Sequence, residues 1–249
     1  LLGGVLADPN LVPWFNNSTP YWAVFILLIF TVIFMFVAFK ETRPKEKRTE
    51  VSYTHAFTNL IKIFNPGRLR IIYLVNFLIY LSIFGFFRAF PMYLVEHYGM
   101  NVTELAKYIA WNAVPVVIGS LWLTGYLSKL YSPRTIAICS TLLFGLFNMF
   151  FIIPQSELML FLTLFLPGLA LAVALPVASS MVSLAAAQDA QGRALGNNLS
   201  ITVGAEVLSG LAAGFLAAYF IKLPMFAICA VAILVATILI FSNSGKVCR

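Results

Sequence analysis

Two residues of this chain carry opposite charges inside long apolar runs. Arg88 stands in LSIFGFFRAFPMYL (81–94), and Glu206 stands in the middle of QGRALGNNLSITVGAEVLSGLAAG (191–214). Glu206 is the only acid well inside an apolar run. A carboxyl deep in hydrocarbon, if unpaired, prefers to carry its proton. Such a group can take up and release a proton, or hold a cation. The bland alternative is a protonated or hydrogen-bonded packing residue. An arginine at bilayer centre costs about 2.5–3.5 kcal/mol on insertion scales. Arg88 can escape that cost by snorkelling to the outer headgroups, where Tyr93 and His97 also fall. It can also pair with an acid, and the candidates are Glu96 and Glu206.

Other polar residues interrupt the same kind of sequence. Tyr73, Asn76 and Tyr80 recur at i, i+3 and i+7, so they share one helix face. Asn112 follows Trp111 in another apolar run. Such groups either line a polar cavity or bond helix to helix. Gly192, Gly196, Ser200 and Gly204 recur every fourth residue, followed by Gly210 and Gly214, a pattern that lets helices approach closely. Pro115, Pro167 and Pro176 are positioned to kink helices. No nucleophile–base–acid set, phosphate loop or metal cluster is present, so an enzyme is not expected, and no cofactor or metal is implied. Cys139, Cys229 and Cys248 have no disulfide or zinc spacing and read as packing residues.

The elements that must hold these residues follow from composition. Of 249 residues, 61% are hydrophobic and 10% charged, with a mean hydropathy of +0.93. Soluble domains are about 45–50% apolar and about 25% charged. The solvent is therefore lipid, and the fold class is an all-α polytopic membrane bundle. Spans need about 20 apolar residues. They are expected at 20–39, 69–92, 104–127, 134–153, 158–184, 194–221 and 223–243. Residues 1–7 read as the last turns of a helix already under way, so the chain reads as a fragment of a longer protein.

Charge orients these spans. Lys40, Arg43, Lys45, Lys47, Arg48, Lys62, Arg68, Arg70, Lys129, Arg134, Arg193, Lys246 and Arg249 fall on one side, thirteen of the sixteen basic residues. The positive-inside rule makes that side cytoplasmic, including the C-terminus. The net charge of +7 comes from these loops and does not signal nucleic acid. Segment 50–64, EVSYTHAFTNLIKIF, has an apolar stripe of Ala56, Phe57, Leu60, Ile61 and Phe64. It is expected to be a helix on the membrane surface or a packed linker helix. By a rise of about 1.5 Å per residue, Arg88 lies roughly 25 Å up a core of about 30 Å, and Glu206 roughly 18 Å. A direct pair must bridge about 8 Å of depth.

One span and a stub, a long basic loop, then six closely connected spans is what remains when a twelve-helix transporter is cut inside its fifth helix. LLGGVLAD at 1–8 resembles the end of the fifth-helix motif of major facilitator superfamily antiporters, with Gly3 and Gly4 matching the closing Gly-Gly. FKETRPK at 39–45 is similar to the end of the sixth helix of many drug exporters. GYLSKLYSPRT at 125–135 resembles the cytoplasmic loop between helices eight and nine. Gly125 and Arg134 fit it, while Ser128 replaces the acid and the second glycine is lost near Ser132. The segment 191–214 is similar to the start of helix eleven in the drug–proton antiporter branch.

The resemblance implies the C-terminal six-helix half of a transporter at 69–243, preceded by the end of helix five and helix six (1–39) and a linker (40–68), with a short tail (244–249). It implies a multi-pass protein of the cytoplasmic, or inner, membrane. It also implies alternating access, with proton-coupled efflux of drugs or small metabolites. The partners implied are a small-molecule substrate, protons, the lipid bilayer and the missing N-terminal half. Helix seven (69–92) lines the central cavity in the family, so Tyr73, Asn76 and Tyr80, with Asn112, become cavity candidates. Glu206 and Arg88 become candidates for coupling or substrate. Gly125, Arg134, Gly196, Ser200 and Gly204 become motif and packing residues. Uptake by the same fold, or a seven-helix receptor, are the rival expectations.

Overall fold

The computed structural model describes residues 3, 6, 12–16, 18–38, 68–151, 153, 156–220 and 222–242. The basic segment with its expected amphipathic helix at 50–64, Gly4, Cys248 and the tail at 243–249 lie outside the described residues. The chain forms two compact units, 1–55 and 56–249. Seven of the described helices are long and apolar enough to cross a membrane.

The first unit contains α1, Thr19–Ala38. Its start is set by a small turn. Ser18 N–H donates to Asn16 Oδ1 at 2.8 Å, and Asn16 N–H to Thr19 Oγ1 at 2.9 Å. Its twenty residues are apolar on every face, the pattern of a span rather than of a soluble surface helix.

The second unit holds α2 (Arg68–Tyr98), α3 (Val102–Ile118), α4 (Thr124–Leu130), α5 (Pro133–Phe150), α6 (Glu157–Ala185), α7 (Gln191–Tyr219) and α8 (Leu223–Phe241). Caps define the boundaries. Asn101 and Glu104 form a reciprocal capping box at the start of α3. Ser132 and Ser156 accept backbone N–H groups at the starts of α5 and α6. These caps satisfy donors that a helix start leaves unpaired. Helix α2 runs six residues past the expected end at 92. Pro91 does not stop it, and Gly99, at φ +65°, does. Glycine adopts that left-handed conformation without a Cβ penalty.

A π-helical turn, Gly119–Leu123, joins α3 to α4 in one continuous rod. It follows Pro115 by one turn. The Thr124 hydroxyl lies within hydrogen-bonding distance of Gly119 O at 3.1 Å and Ala172 O at 3.2 Å. Gly119 O already accepts the Thr124 N–H across the π-turn, and the hydroxyl adds a link from this turn to α6.

The unit is two interlocked triplets. Helix α2, first of its triplet, packs on α7 and α8 of the other. Helix α6, first of the second triplet, packs on α3 and α5 of the first. The two third helices, α5 and α8, pack on each other. Close approaches fix these contacts at single glycines. A Cβ on Gly119 would sit 2.6 Å from Ala172 Cβ, one on Gly145 2.5 Å from Ala232 Cβ, and one on Gly168 2.5 Å from Pro115 Cγ. Within a bilayer such backbone proximity supplies much of the packing attraction between helices.

Candidate functional site

Helices α2 and α7 begin at the same end of the unit and share a long seam. At its base, three polar side chains of α2 are buried. Asn76 Nδ2 donates to Ala178 O and to Asn198 Oδ1, both at 2.8 Å. The Tyr73 hydroxyl donates to Ala194 O at 3.2 Å, and the Tyr80 hydroxyl meets Ser179 Oγ at 3.1 Å. These bonds tie α2 to α6 and α7. Tyr73, Asn76 and Tyr80 share a face as expected, but that face points into the helix bundle rather than onto an open surface. Asn112 is likewise buried, between α3 and α6, with Gly168 beside its Oδ1.

Farther along the seam the chemistry changes. Arg88 on α2 and Glu206 on α7 meet through Nη2 and Oε1 at 3.5 Å. Their side chains remain 55% and 45% exposed. By residue count, Arg88 is about 30 Å from the start of α2 and Glu206 about 22 Å from the start of α7. Their long side chains span the difference of about 8 Å. Glu96, the other candidate partner of Arg88, does not take this role. Tyr93 is fully buried, stacked on His97 and tilted against Phe151.

A charge-assisted hydrogen bond is normally about 2.7–2.9 Å long. At 3.5 Å this contact is a loose ion pair, open on one side. Two charges that each resist burial in lipid hold each other in place. Neutralising either one removes the attraction. Nearby, Ser209 Oγ donates to the Glu206 carbonyl at 2.7 Å, which adds a polar group one turn on. The pair thus presents a carboxylate and a guanidinium, both about half exposed, on one side of the seam. No group of His, Cys, Asp or Glu able to hold a metal occurs among the described residues.

The remaining candidates are placed as follows. A Cβ at Gly125, Gly192, Gly196, Gly204, Gly210 or Gly214 would meet nothing within 4 Å, so these glycines make no close packing against the described residues. Ser200 is exposed and donates to Gly196 O. Gly3 is also open. Arg134 does structural work. Its guanidinium donates to the carbonyls of Leu239, Ile240 and Ser242 and so caps the end of α8 from the start of α5. A cation is favoured there by the helix dipole.

Asn198, Ser179 and Ser209 were missed by sequence reasoning. The adjacent Asn197 and Asn198 in a spanning helix were the available signal for the first. Single serines in apolar runs carry no comparable signal.

No curated protein matches the chain. A family model described as Major Facilitator Superfamily matches residues 72–246. That match covers all six spans of the second unit, the interlocked triplets and the α2–α7 seam with its ion pair. The chain belongs to the major facilitator superfamily, a family of secondary active transporters.

Proposed function

We propose that this chain is the C-terminal part of a proton-coupled exporter of drugs or small metabolites, and that Arg88 and Glu206 form its coupling pair. The chain is a multi-pass membrane protein, part of a secondary transporter. The single observation that supports the finer reading is the loose, half-exposed Arg88–Glu206 pair on two apolar spans.

The mechanism follows from charge. With Glu206 ionised, Arg88 holds α2 and α7 together at that depth. A proton arriving at Glu206 neutralises it, and Arg88 is released. An amphiphilic cation competing for the carboxylate has the same effect. The buried Asn76–Asn198 contact lies below by residue count, about 18 Å along α2 and about 12 Å along α7, and acts as the fixed point of the seam. The series Gly196, Ser200 and Gly204, the first two exposed, gives α7 a smooth outer face. A second six-helix half, carrying the rest of the pathway, can slide on that face. The basic side is the cytoplasm of the inner membrane, and the C-terminus lies on it. The protein moves its substrate without chemical change and is not an enzyme.

The test uses the full-length transporter in liposomes with an inward-acid gradient. Wild type and Glu206→Gln are compared for movement of a lipophilic cation dye and of protons. Coupled movement in wild type, lost in the variant, supports the reading. Equal movement in both places the coupling elsewhere. Proton-driven uptake of a sugar or organic acid, with no dye movement, favours an uptake permease.

A further inference from the structure

The rod formed by α3 and α4 is held firmly at one end and loosely at the other. Along α3, Asn112 is buried, Trp111 Nε1 donates to Phe161 O at 2.8 Å, and Pro115 packs against Gly168. Beyond the π-turn, α4 has no buried residue. A cleft of about 410 Å³ opens there between α4, α5 and α6. The rod lines it with Leu123, Leu127 and Tyr131.

The π-turn between these two parts stores one extra residue. The Thr124 N–H donates to Gly119 O, five residues back instead of four. Just before it, the Gly119 N–H is shared between Pro115 O and Val116 O. Regular α-helix through the turn would give Gly119 O to the Leu123 N–H instead, so one backbone bond replaces another. The residues beyond the turn would then rotate by about 100° and advance by about 1.5 Å, the increment of one residue. Each would take the place now held by the residue after it. The sequence fits that slip. Leu123, Leu127 and Tyr131 recur at i, i+4 and i+8. So do Trp122, Tyr126 and Leu130, one residue earlier, and all three are exposed in the present register. Both series make an apolar stripe on a helix. After the slip, Trp122 and Tyr126 stand about where Leu123 and Leu127 stood, and their larger rings enter the cleft. The link from the Thr124 hydroxyl to Ala172 O, at 3.2 Å, belongs to the present register and is lost.

We propose that α4 is a two-register arm, hinged at Gly119–Leu123 and latched by Thr124, which slips by one residue to fill the α4–α5–α6 cleft with Trp122 and Tyr126. Helix α3 stays fixed. The face that α4 shows outside the unit changes from Tyr126 and Leu130 to Gly125 and Lys129. The unit thereby alters its outer surface at the basic end without repacking its core, as a bistable element does.

The test is cysteine cross-linking in the full-length transporter, in membranes, with Cys139 kept and every other cysteine replaced by serine. Cys139 lines the α5 wall of the cleft. Leu127→Cys or Tyr126→Cys is added, and the initial rate of linking to Cys139 by a short bismaleimide is measured. Both are expected to link, Leu127→Cys from the present register and Tyr126→Cys from the slipped one. Thr124→Val removes the latch. It is expected to raise the rate of Tyr126→Cys relative to Leu127→Cys about fivefold, the order of one neutral hydrogen bond. Ser128→Ala, which loses only a bond to Thr124 O within the helix, leaves the ratio unchanged. Deletion of Ser120 removes the extra residue, keeps α4 in its present placement and abolishes the Tyr126→Cys link. Linking by Leu127→Cys alone overturns the proposal. So does a ratio unchanged by Thr124→Val, or a Tyr126→Cys link that survives the deletion. Valine matches threonine in shape, so Thr124→Val decides the matter even where the deletion fails to fold.

Discussion

Asn76 on α2 donates a 2.8 Å hydrogen bond to Asn198 on α7, both buried and 122 positions apart in the chain. The same two helices carry Arg88 and Glu206 where both are half exposed. One contact is closed to the surroundings and the other is open to them. The first ties the two helices together inside the bundle, and the second leaves two opposite charges half exposed.

Asn76→Ala is expected to destabilise the second unit by about 1–2 kcal/mol, because it leaves Ala178 O and Asn198 without their donor. Reversible unfolding in mixed detergent measures this. Asn198→Ala combined with Asn76→Ala should cost less than the sum of the two single changes. Strict additivity would show that the bond is not the source of the loss.

The exposed pair predicts the opposite balance. Arg88→Gln or Glu206→Gln is expected to change unfolding stability by less than about 1 kcal/mol, since half-exposed ion pairs contribute little. Transport by the full-length protein should nevertheless fall. A transport loss that tracks a comparable loss of stability would mean that the pair is structural.

Glycines divide into two classes. Gly145→Ala puts a Cβ 2.5 Å from Ala232 Cβ and 3.3 Å from the Cys229 backbone. The expected cost is about 1–3 kcal/mol, and Ala232→Gly should recover part of it. Gly196→Ala and Gly204→Ala meet open space. They should leave the melting temperature unchanged or raise it, by up to about 1 kcal/mol of helix propensity each. Destabilisation by either of these two would place a neighbour against α7 that the unit itself does not supply.

Arg134→Gln removes a charged cap from the end of α8. An expected loss of about 1–3 kcal/mol follows from its bonds to several carbonyls. Arg134→Lys should recover only part, because an ammonium cannot reproduce the planar fork. Amide hydrogen exchange localises the effect. Protection should fall at the last turn of α8 and persist in α6.

The spans were legible because hydropathy over about 20 residues is a bulk property that lipid enforces. Their ends were less so. Residues 93–98 mix charge and aromatic groups, yet they extend α2 because Pro91 is tolerated and Gly99 is the actual stop. The π-turn at 119–123 has Pro115 as its only local hint. A shared face for Tyr73, Asn76 and Tyr80 was readable from spacing. Its direction was not, because the rotation of α2 is set by α6 and α7, about 100 residues away. The tight glycines were hidden for the same reason. Gly119, Gly145 and Gly168 are isolated in sequence, and their small partners lie on other helices. The glycines of the regular series on α7 pack closely against none of the described residues. The depths of Arg88 and Glu206 followed from counting, whereas their meeting depends on how two distant helices are turned.

The exchange of partners between the two triplets has a consequence for how the chain is made. Helix α2 enters the membrane roughly 120 residues before the part of α7 that satisfies it is synthesised. At about 5–20 residues per second, that is a wait of roughly 6–24 s. During this interval Asn76 and Arg88 sit in a spanning segment without their final partners. The first triplet is thus inserted early and locked late, and biogenesis depends on completing the last two helices. A nascent chain halted before Gln191 should be integrated in the membrane yet sensitive to protease. One that has released Phe241 should resist it.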